Sequence, residues 1–341
     1  PSSVSKVLVR ATNWLGDAVM SLPAIRAIRQ IFPHAHLAVA ARPAVADLYA
    51  RETVIDQVIS YTGGRRAFAN RLRDERFECA ILLQNAFDAA LLAWMARIPV
   101  RIGYSRDGRG LLLTRAIQVP EPGDIPRHQR FYYLELLRRA GLLEHFPPGD
   151  AIRLEGIEAA REAGVRRLAA LGISGPVIGI SPGAAYGNAK RWLPERFVES
   201  AARLGHPALV FGSASERGLC EQVARGLGAR NLAGQTTLGE FIELAAACRI
   251  FLTNDSGAMH VASALGVPTV AVFGATDDTT TGPTGPLARV VREHAECSPC
   301  LLRECPIDHR CMTRVSAEQV AATALQLWEE SAPAWTHEAR S

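Results

Sequence analysis

The sequence predicts an α/β protein built from two doubly wound units, each with a parallel sheet. Three observations carry this. Short apolar runs alternate with amphipathic stretches through both halves, the pattern of strands joined by crossover helices. A Pro- and Gly-rich region over residues 120–149 interrupts the alternation, which then starts again. In both halves, polar Gly-containing loops follow directly on apolar runs, at the strand ends where open α/β sheets bind ligands.

In the first half, Lys6–Arg10 (KVLVR) reads as a strand. The next segment places Val19, Leu22, Ile25, Ile28 and Ile31 at three-residue steps, an apolar helical stripe. Gly16 and Asp17 stand at its start, where an acid is favoured by the helix dipole or serves as a cap. Strands follow at His36–Pro43, Val54–Ser60 and Glu78–Leu83, then a helix at Asp88–Met95 and a strand at Val100–Gly103. The interrupting region holds PEPGDIP and FPPGD around a helix at Gln129–Ala140. A further helix is read at Ile157–Leu171. The domain boundary falls in this region, giving residues 1–160 as the first domain, 161–330 as the second and 331–341 as a frayed tail. In the second half, strands are expected at Val177–Ile180, Ala208–Phe211, Arg249–Thr253 and Thr269–Phe273. Helices are expected at Glu195–Leu204, Glu216–Leu227, Leu238–Ala247, His260–Leu265 and Ala317–Glu330.

Composition sets limits on function. The chain of 341 residues is 48% hydrophobic and 21% charged, as globular proteins are. A net charge of +4 with no basic block and no RNP-type aromatic motif argues against nucleic acid. The most apolar stretch is broken by Gln84, Asn85 and Asp88, so no transmembrane segment is expected. No signal-peptide hydrophobic region precedes the first strand, and an odd count of seven cysteines does not suit a secreted disulfide framework. A cytoplasmic location is the expectation.

Three loops carry the chemistry: Thr12–Asp17, Ser181–Lys190 and Thr253–His260. All three end strands and are expected to face one cleft. In SPGAAYGNAKRW, small residues and two glycines let backbone N–H groups approach an anion, with a helix start behind them. Only two of the 38 basic residues, Lys6 and Lys190, are lysines, which singles out Lys190 as a phosphate contact; a surface lysine on an ordinary turn is the alternative. In TNDSGAMH, Asp255, Ser256 and Gly257 offer a carboxylate, a hydroxyl and open N–H groups at a helix start, with His260 one turn further on. A local cap and a half-buried helical histidine is the other reading. Gly212, Ser213 and Glu216 in FGSASE suit an adenosine and ribose contact, or a turn and cap. No GxGxxG fingerprint follows either unit's first strand, which argues against NAD.

The motifs NWLGDAVMSLPAI, LQNAFDAAL, PGAAYGNAKRW, VFGS, NLAGQT and TNDSGAMHVASALGVP run in this order through nearly the whole chain. Together they resemble glycosyltransferase family 9. Ala185 and Tyr186 stand where one branch of the family often has paired threonines, which favours its heptosyltransferase II branch. The resemblance implies a GT-B architecture with an acceptor-binding first domain and a nucleotide-sugar-binding second one. It implies an inverting transfer of L-glycero-D-manno-heptose from ADP-heptose to a heptose of the lipopolysaccharide inner core, at or near the inner membrane, with no cofactor required. A different heptosyl acceptor, or nucleotide binding without turnover, are the rival readings. By resemblance Asp17 is the general base and Lys190 meets the donor phosphates. The donor site is expected to include Ser181, Gly183, Ala185, Tyr186, Gly212, Ser213, Glu216, Thr236, Asp255, Ser256, Gly257 and His260. A phosphorylated, carboxylated acceptor suits the basic surface of Arg65, Arg66, Arg71, Arg73, Arg101, Arg106 and Arg109. Asn13, Asn85, Arg65 and Arg101 are the acceptor-site candidates.

One segment stands apart. CSPCLLRECPIDHRCM holds Cys297, Cys300, Cys305 and Cys311 with His309 close by. Four thiolates on one loop suit a structural zinc or iron; reduced cysteines packing as small hydrophobes are the alternative.

Overall fold

The computed structural model describes residues 4–331. The chain divides into two units, the first ending at Gly149 and the second starting at Asp150.

In the first unit, six parallel strands form one sheet: β1 (Lys6–Arg10), β2 (His36–Ala41), β3 (Gln57–Ser60), β4 (Cys79–Leu82), β5 (Val100–Tyr104) and β6 (Arg115–Ile117). Their order is β3-β2-β1-β4-β5-β6. The chain moves outward one way from β1, then returns to its other side at β4. The strand order reverses between these two, which opens a crevice at their carboxyl ends. The four central strands are almost wholly buried, as runs covered by helices on both faces must be.

The second unit repeats the plan. Its strands are β7 (Ile178–Ser181), β8 (Ala208–Val210), β9 (Arg230–Asn231), β10 (Ile250–Asn254), β11 (Thr269–Val272) and β12 (Ala288–Val291). Read from β9, the order is β9-β8-β7-β10-β11-β12, the same reversal, now between β7 and β10. Helix Ile157–Ala170 belongs to this unit and packs on helix Leu238–Ala246. The two helices come so close that a Cβ on Gly164 would sit 2.0 Å from the Glu243 carbonyl oxygen, and Arg167 closes the contact by pairing with Glu240 and Glu243. The final helix, Ala317–Glu330, starts on a capping box of Ser316 and Gln319. Ser331, at the head of the expected tail, is buried and its Oγ accepts from Arg249 at 2.5 Å; residues 332–341 lie outside the described residues.

The expected elements are present with shifted ends: β3 starts at Gln57 and the helix carrying His260 starts at Gly257. Additional elements are the edge strands β6, β9 and β12 and the helices Pro43–Tyr49 and Arg65–Asp74. The edges are short or half exposed, so they carry no apolar run. Helix Arg65–Asp74 buries only Phe68, Ala69 and Leu72 among its arginines.

Candidate functional site

The first unit's site lies at the carboxyl end of β1. Helix Leu15–Ile31 begins there, with Trp14 at its N-cap and no side-chain cap bond. Asp17 is in the first turn, so it is not the cap itself. Its Oδ1 accepts a hydrogen bond of 3.1 Å from the Tyr133 hydroxyl, which comes from helix Arg130–Arg139. Burial drives the Tyr133 phenol well above its ordinary range, and the nearby Asp17 charge adds to this. Tyr133 therefore stays protonated and able to donate. Arg10, the last residue of β1, is buried; it donates to the carbonyls of Ala11 and Ala40 at 2.8 and 3.1 Å and to Asn13 Oδ1 at 3.3 Å. Burial lowers its pKa to about 10, which leaves it charged at neutral pH. Asn13 is thus fixed in the same loop as Asp17.

The other acceptor candidates are placed differently. Asn85 follows β4, across the reversal point from β1, and is spanned on both ends: it donates to the Tyr132 hydroxyl at 2.8 Å and accepts from Arg109 at 3.1 Å. Arg65 opens its helix and pairs with Asp88 at 2.5 Å. Arg101 sits at the start of β5, at the opposite sheet edge from Asp17. Its guanidinium donates to the carbonyls of Leu112 and Ile98. Arg109, read as part of a basic surface, is fully buried and holds the carbonyls of Tyr104 and Gln84.

The second unit's site flanks the matching reversal point. Ser181 ends β7, and the loop after it runs to a short 3₁₀ turn at Asn188–Lys190. Lys190 Nζ lies 2.6 Å from Asp255 Oδ2, just beyond β10; the lysine is 14% exposed and the aspartate 5%. Thr276 Oγ donates to the same oxygen at 2.6 Å. Asn254 joins the two loops by donating to the Pro182 carbonyl at 2.7 Å and accepting from the Trp192 N–H at 3.0 Å. Lys190 also lies 5.0 Å from the centre of the Tyr186 ring, a cation–π distance. Ser256 caps helix Gly257–Ala264, accepting from the Met259 N–H at 3.4 Å. Its cap reading is therefore present together with its place beside Asp255. His260 is buried within that helix.

Glu216 is held by its own turn. Its carboxylate accepts from the Ser213 N–H and hydroxyl at 2.9 and 2.8 Å, which is the capping arrangement weighed against a ribose contact. It also packs on Gly183: a Cβ there would stand 2.2 Å from Glu216 Oε1. Gly212 is equally tight, since a Cβ would meet Cys220 Sγ at 2.6 Å. Thr236 lies half buried in the turn before the Thr237 cap, and Ala185 is exposed.

The cysteine segment braces the Lys190 loop. Arg303 accepts from the Ala189 N–H at 3.1 Å, His309 Nε2 is 3.1 Å from the Ala189 carbonyl, and the Cys305 N–H donates to Asn188 at 3.3 Å. A Cβ on Gly187 would meet the Arg303 carbonyl oxygen at 2.1 Å, so only glycine allows this approach. Cys297, Cys300, Cys305 and Cys311 line one hollow of about 60 Å³. Among the described residues, however, no three His, Cys, Asp or Glu groups are arranged to hold a metal ion. The thiols as placed do not form a metal centre.

Two parallel sheets with the same strand order, each with its polar site at the reversal point, form the paired Rossmann-like units of GT-B glycosyltransferases. The chain belongs to glycosyltransferase family 9, the heptosyltransferases, whose model matches residues 65–310. It is 32% identical to lipopolysaccharide heptosyltransferase 2 of Escherichia coli K12, over 84% of this chain and 88% of that one. The solved structure of E. coli ADP-heptose lipopolysaccharide heptosyltransferase II superposes with a TM-score of 0.81 at 29% identity, covering 96% of this chain and 99% of that one. An iron-containing dodecameric glycosyltransferase of enterotoxigenic E. coli shares the fold, with a TM-score of 0.60 at 15% identity over 96% of this chain and 77% of that one.

Sequence reasoning missed Tyr133, Thr276 and Arg10. Arg10 carried a signal, a charge ending an apolar strand, and Thr276 carried one in the polar run TDDTTT that follows the apolar strand Thr269–Phe273. Tyr133 carried none.

Proposed function

We propose that this heptosyltransferase moves L-glycero-D-manno-heptose from ADP-heptose to a heptose of the lipopolysaccharide inner core, with inversion. One observation carries the reading: Asp17 and Lys190 occupy matching places after the first strands of two like sheets, Asp17 in the first turn of the helix that follows β1 and Lys190 in the 3₁₀ turn that follows β7. One is a carboxylate and the other a partly buried cation, the pair such a displacement needs. Asp17 takes the proton of the acceptor hydroxyl as its oxygen bonds to the anomeric carbon. The bond from that carbon to the diphosphate breaks, and the electron pair leaves with ADP. Lys190 and the first-turn N–H groups of helix Gly257–Ala264 meet the charge that develops there. Tyr133 holds the carboxylate in place. Before donor arrives, Asp255 and Thr276 hold Lys190 in its loop.

The acceptor is lipid-linked in this reading, and the enzyme meets it at a membrane surface from outside the bilayer. No helix among the described residues is long and apolar enough to cross a membrane. Incubation with ADP-heptose and a truncated inner-core acceptor, followed by ADP release and the mass of the glycan, tests the reading. A mass gain of one heptose supports it; ADP release without glycan extension overturns it.

A further inference from the structure

The first unit carries a second basic feature, set apart from Asp17. A groove of about 620 Å³ runs between helices Arg65–Asp74 and Phe87–Met95 to the start of β5. It is lined by Arg66, Arg73, Trp94, Met95, Arg97 and Arg101, and no acidic side chain lines it among the described residues. Arg66 stands one helical turn from Asn70, which stands one turn from Arg73, so all three share a face. Trp94 is 51% exposed, although a tryptophan at a helix end normally finds cover. Arg97 follows that helix in the left-handed conformation, φ 57°, and is exposed.

We propose that this groove is where the enzyme docks on a bilayer rich in anionic phospholipid. The inference deepens the proposed function, since it rests on an acceptor held at a membrane. Charge complementarity selects the occupant: the guanidinium groups of Arg66, Arg73 and Arg97, with no carboxylate between them, suit a surface of phosphates. Trp94 and Met95 then supply the apolar contact. Tryptophan favours the headgroup level because its ring is amphipathic. Arginines near an anionic leaflet add attraction that decays within a Debye length, so the contact is sensitive to salt. Arg97 and Arg101 line the groove at the start of β5, whereas Asp17 stands beyond the carboxyl end of β1. Docking there leaves the acceptor loop free.

The experiment uses the full chain and sedimentation with vesicles of phosphatidylcholine, alone or with phosphatidylglycerol. The parent should bind only the anionic vesicles, and more weakly as salt rises. Arg97→Ala should weaken binding about fivefold, the worth of one cation near such a surface. Arg97→Lys should retain it, and Arg97→Ala with Trp94→Ala should lose at least about tenfold. Transfer to a short, water-soluble acceptor should be unchanged in all of them. That arm reports on the transferase reading by itself, so its failure is separable from failure of docking. Equal binding of parent and double variant overturns the proposal, as does equal binding to neutral vesicles. A double variant that keeps vesicle binding but raises KM for a phosphorylated soluble acceptor also overturns it, and makes the groove part of the acceptor site.

Discussion

Replacing Lys190 by Ala separates the pairing with Asp255 that the structure shows from the phosphate contact proposed for the same side chain. Without donor, Lys190 neutralises Asp255, a carboxylate only 5% exposed, at 2.6 Å. Removing the cation leaves Asp255 with Thr276 and the surrounding dipoles. Stripping one partner from a fully buried pair costs about 3–5 kcal/mol. Lys190 keeps some contact with water, so the range for a charge-assisted hydrogen bond, about 1.5–3 kcal/mol, is the better guide. Urea unfolding of Lys190→Ala without nucleotide should show a loss of that size. In the proposed function the same substitution also removes a contact to the diphosphate. ADP affinity, read by calorimetry, should fall between about tenfold and about 150-fold if that contact also has this worth. The test lies in adding Asp255→Asn. Asparagine keeps a hydrogen-bond partner for Thr276 but no charge, so the double variant should recover stability without recovering ADP affinity. If ADP affinity returns as well, Lys190 serves only to neutralise Asp255, and its phosphate role is refuted. Unchanged ADP binding in Lys190→Ala alone refutes it more simply.

Tyr133→Phe removes the bond to Asp17 and nothing of the nucleotide site; turnover should fall about tenfold, in line with one lost hydrogen bond to a charged group, while ADP affinity stays at the parent value. Gly187→Ala puts a Cβ against the Arg303 carbonyl and should part the Lys190 loop from the cysteine segment, which weakened ADP binding together with faster alkylation of Cys305 would show. In the parent, Cys297 is exposed and should alkylate first, whereas burial pushes the Cys311 thiol up to about 11, so mass spectrometry of a timed iodoacetamide reaction at pH 8 should find Cys311 modified last of the four thiols in its segment. Burial pushes Asp56 up, but the Leu37 N–H at 2.7 Å and Arg29 at 2.5 Å outweigh it and hold the carboxyl below its ordinary 3.8. A depressed folded value contributes stability above about pH 4 that is lost as pH falls through it, so Asp56→Asn should flatten the acid side of the stability curve measured by urea midpoint from pH 6 to 2.

Both sheets were legible in the sequence because their inner strands are continuous apolar runs, and a buried parallel strand can be little else. The edges β6, β9 and β12 were not, because an edge needs no such run. The loops were legible for a related reason. Gly187 admits no side chain against the Arg303 backbone and Gly183 packs closely on the Glu216 carboxylate, and glycine is visible in a sequence as a mark of close approach. What stayed hidden was pairing across distance. Lys190 and Asp255 were each singled out, yet 65 positions separate them and nothing local says they touch. Tyr133 is 116 positions from Asp17 on a helix whose pattern reports only which face is buried. The cysteine segment was conspicuous for its thiols, but its contacts to the Lys190 loop are made mainly by backbone groups, which leave no trace in side-chain identity. Arg101 shows the opposite error. An arginine in a basic half invites a ligand role, and the fold spends it on the carbonyls of Leu112 and Ile98.

The central claim is that Asp17 acts as the base, and Asp17→Asn measures it most directly. Asparagine can still accept from Tyr133, and Trp14 rather than Asp17 holds the cap position, so the fold should persist. The lost charge at the helix start costs about 0.3–1 kcal/mol of stability. Heptose transfer from ADP-heptose should drop about a hundredfold to ten-thousandfold, the range for a lost general base, with ADP affinity unchanged. An Asp17→Asn enzyme that transfers heptose at near the parent rate would contradict the account.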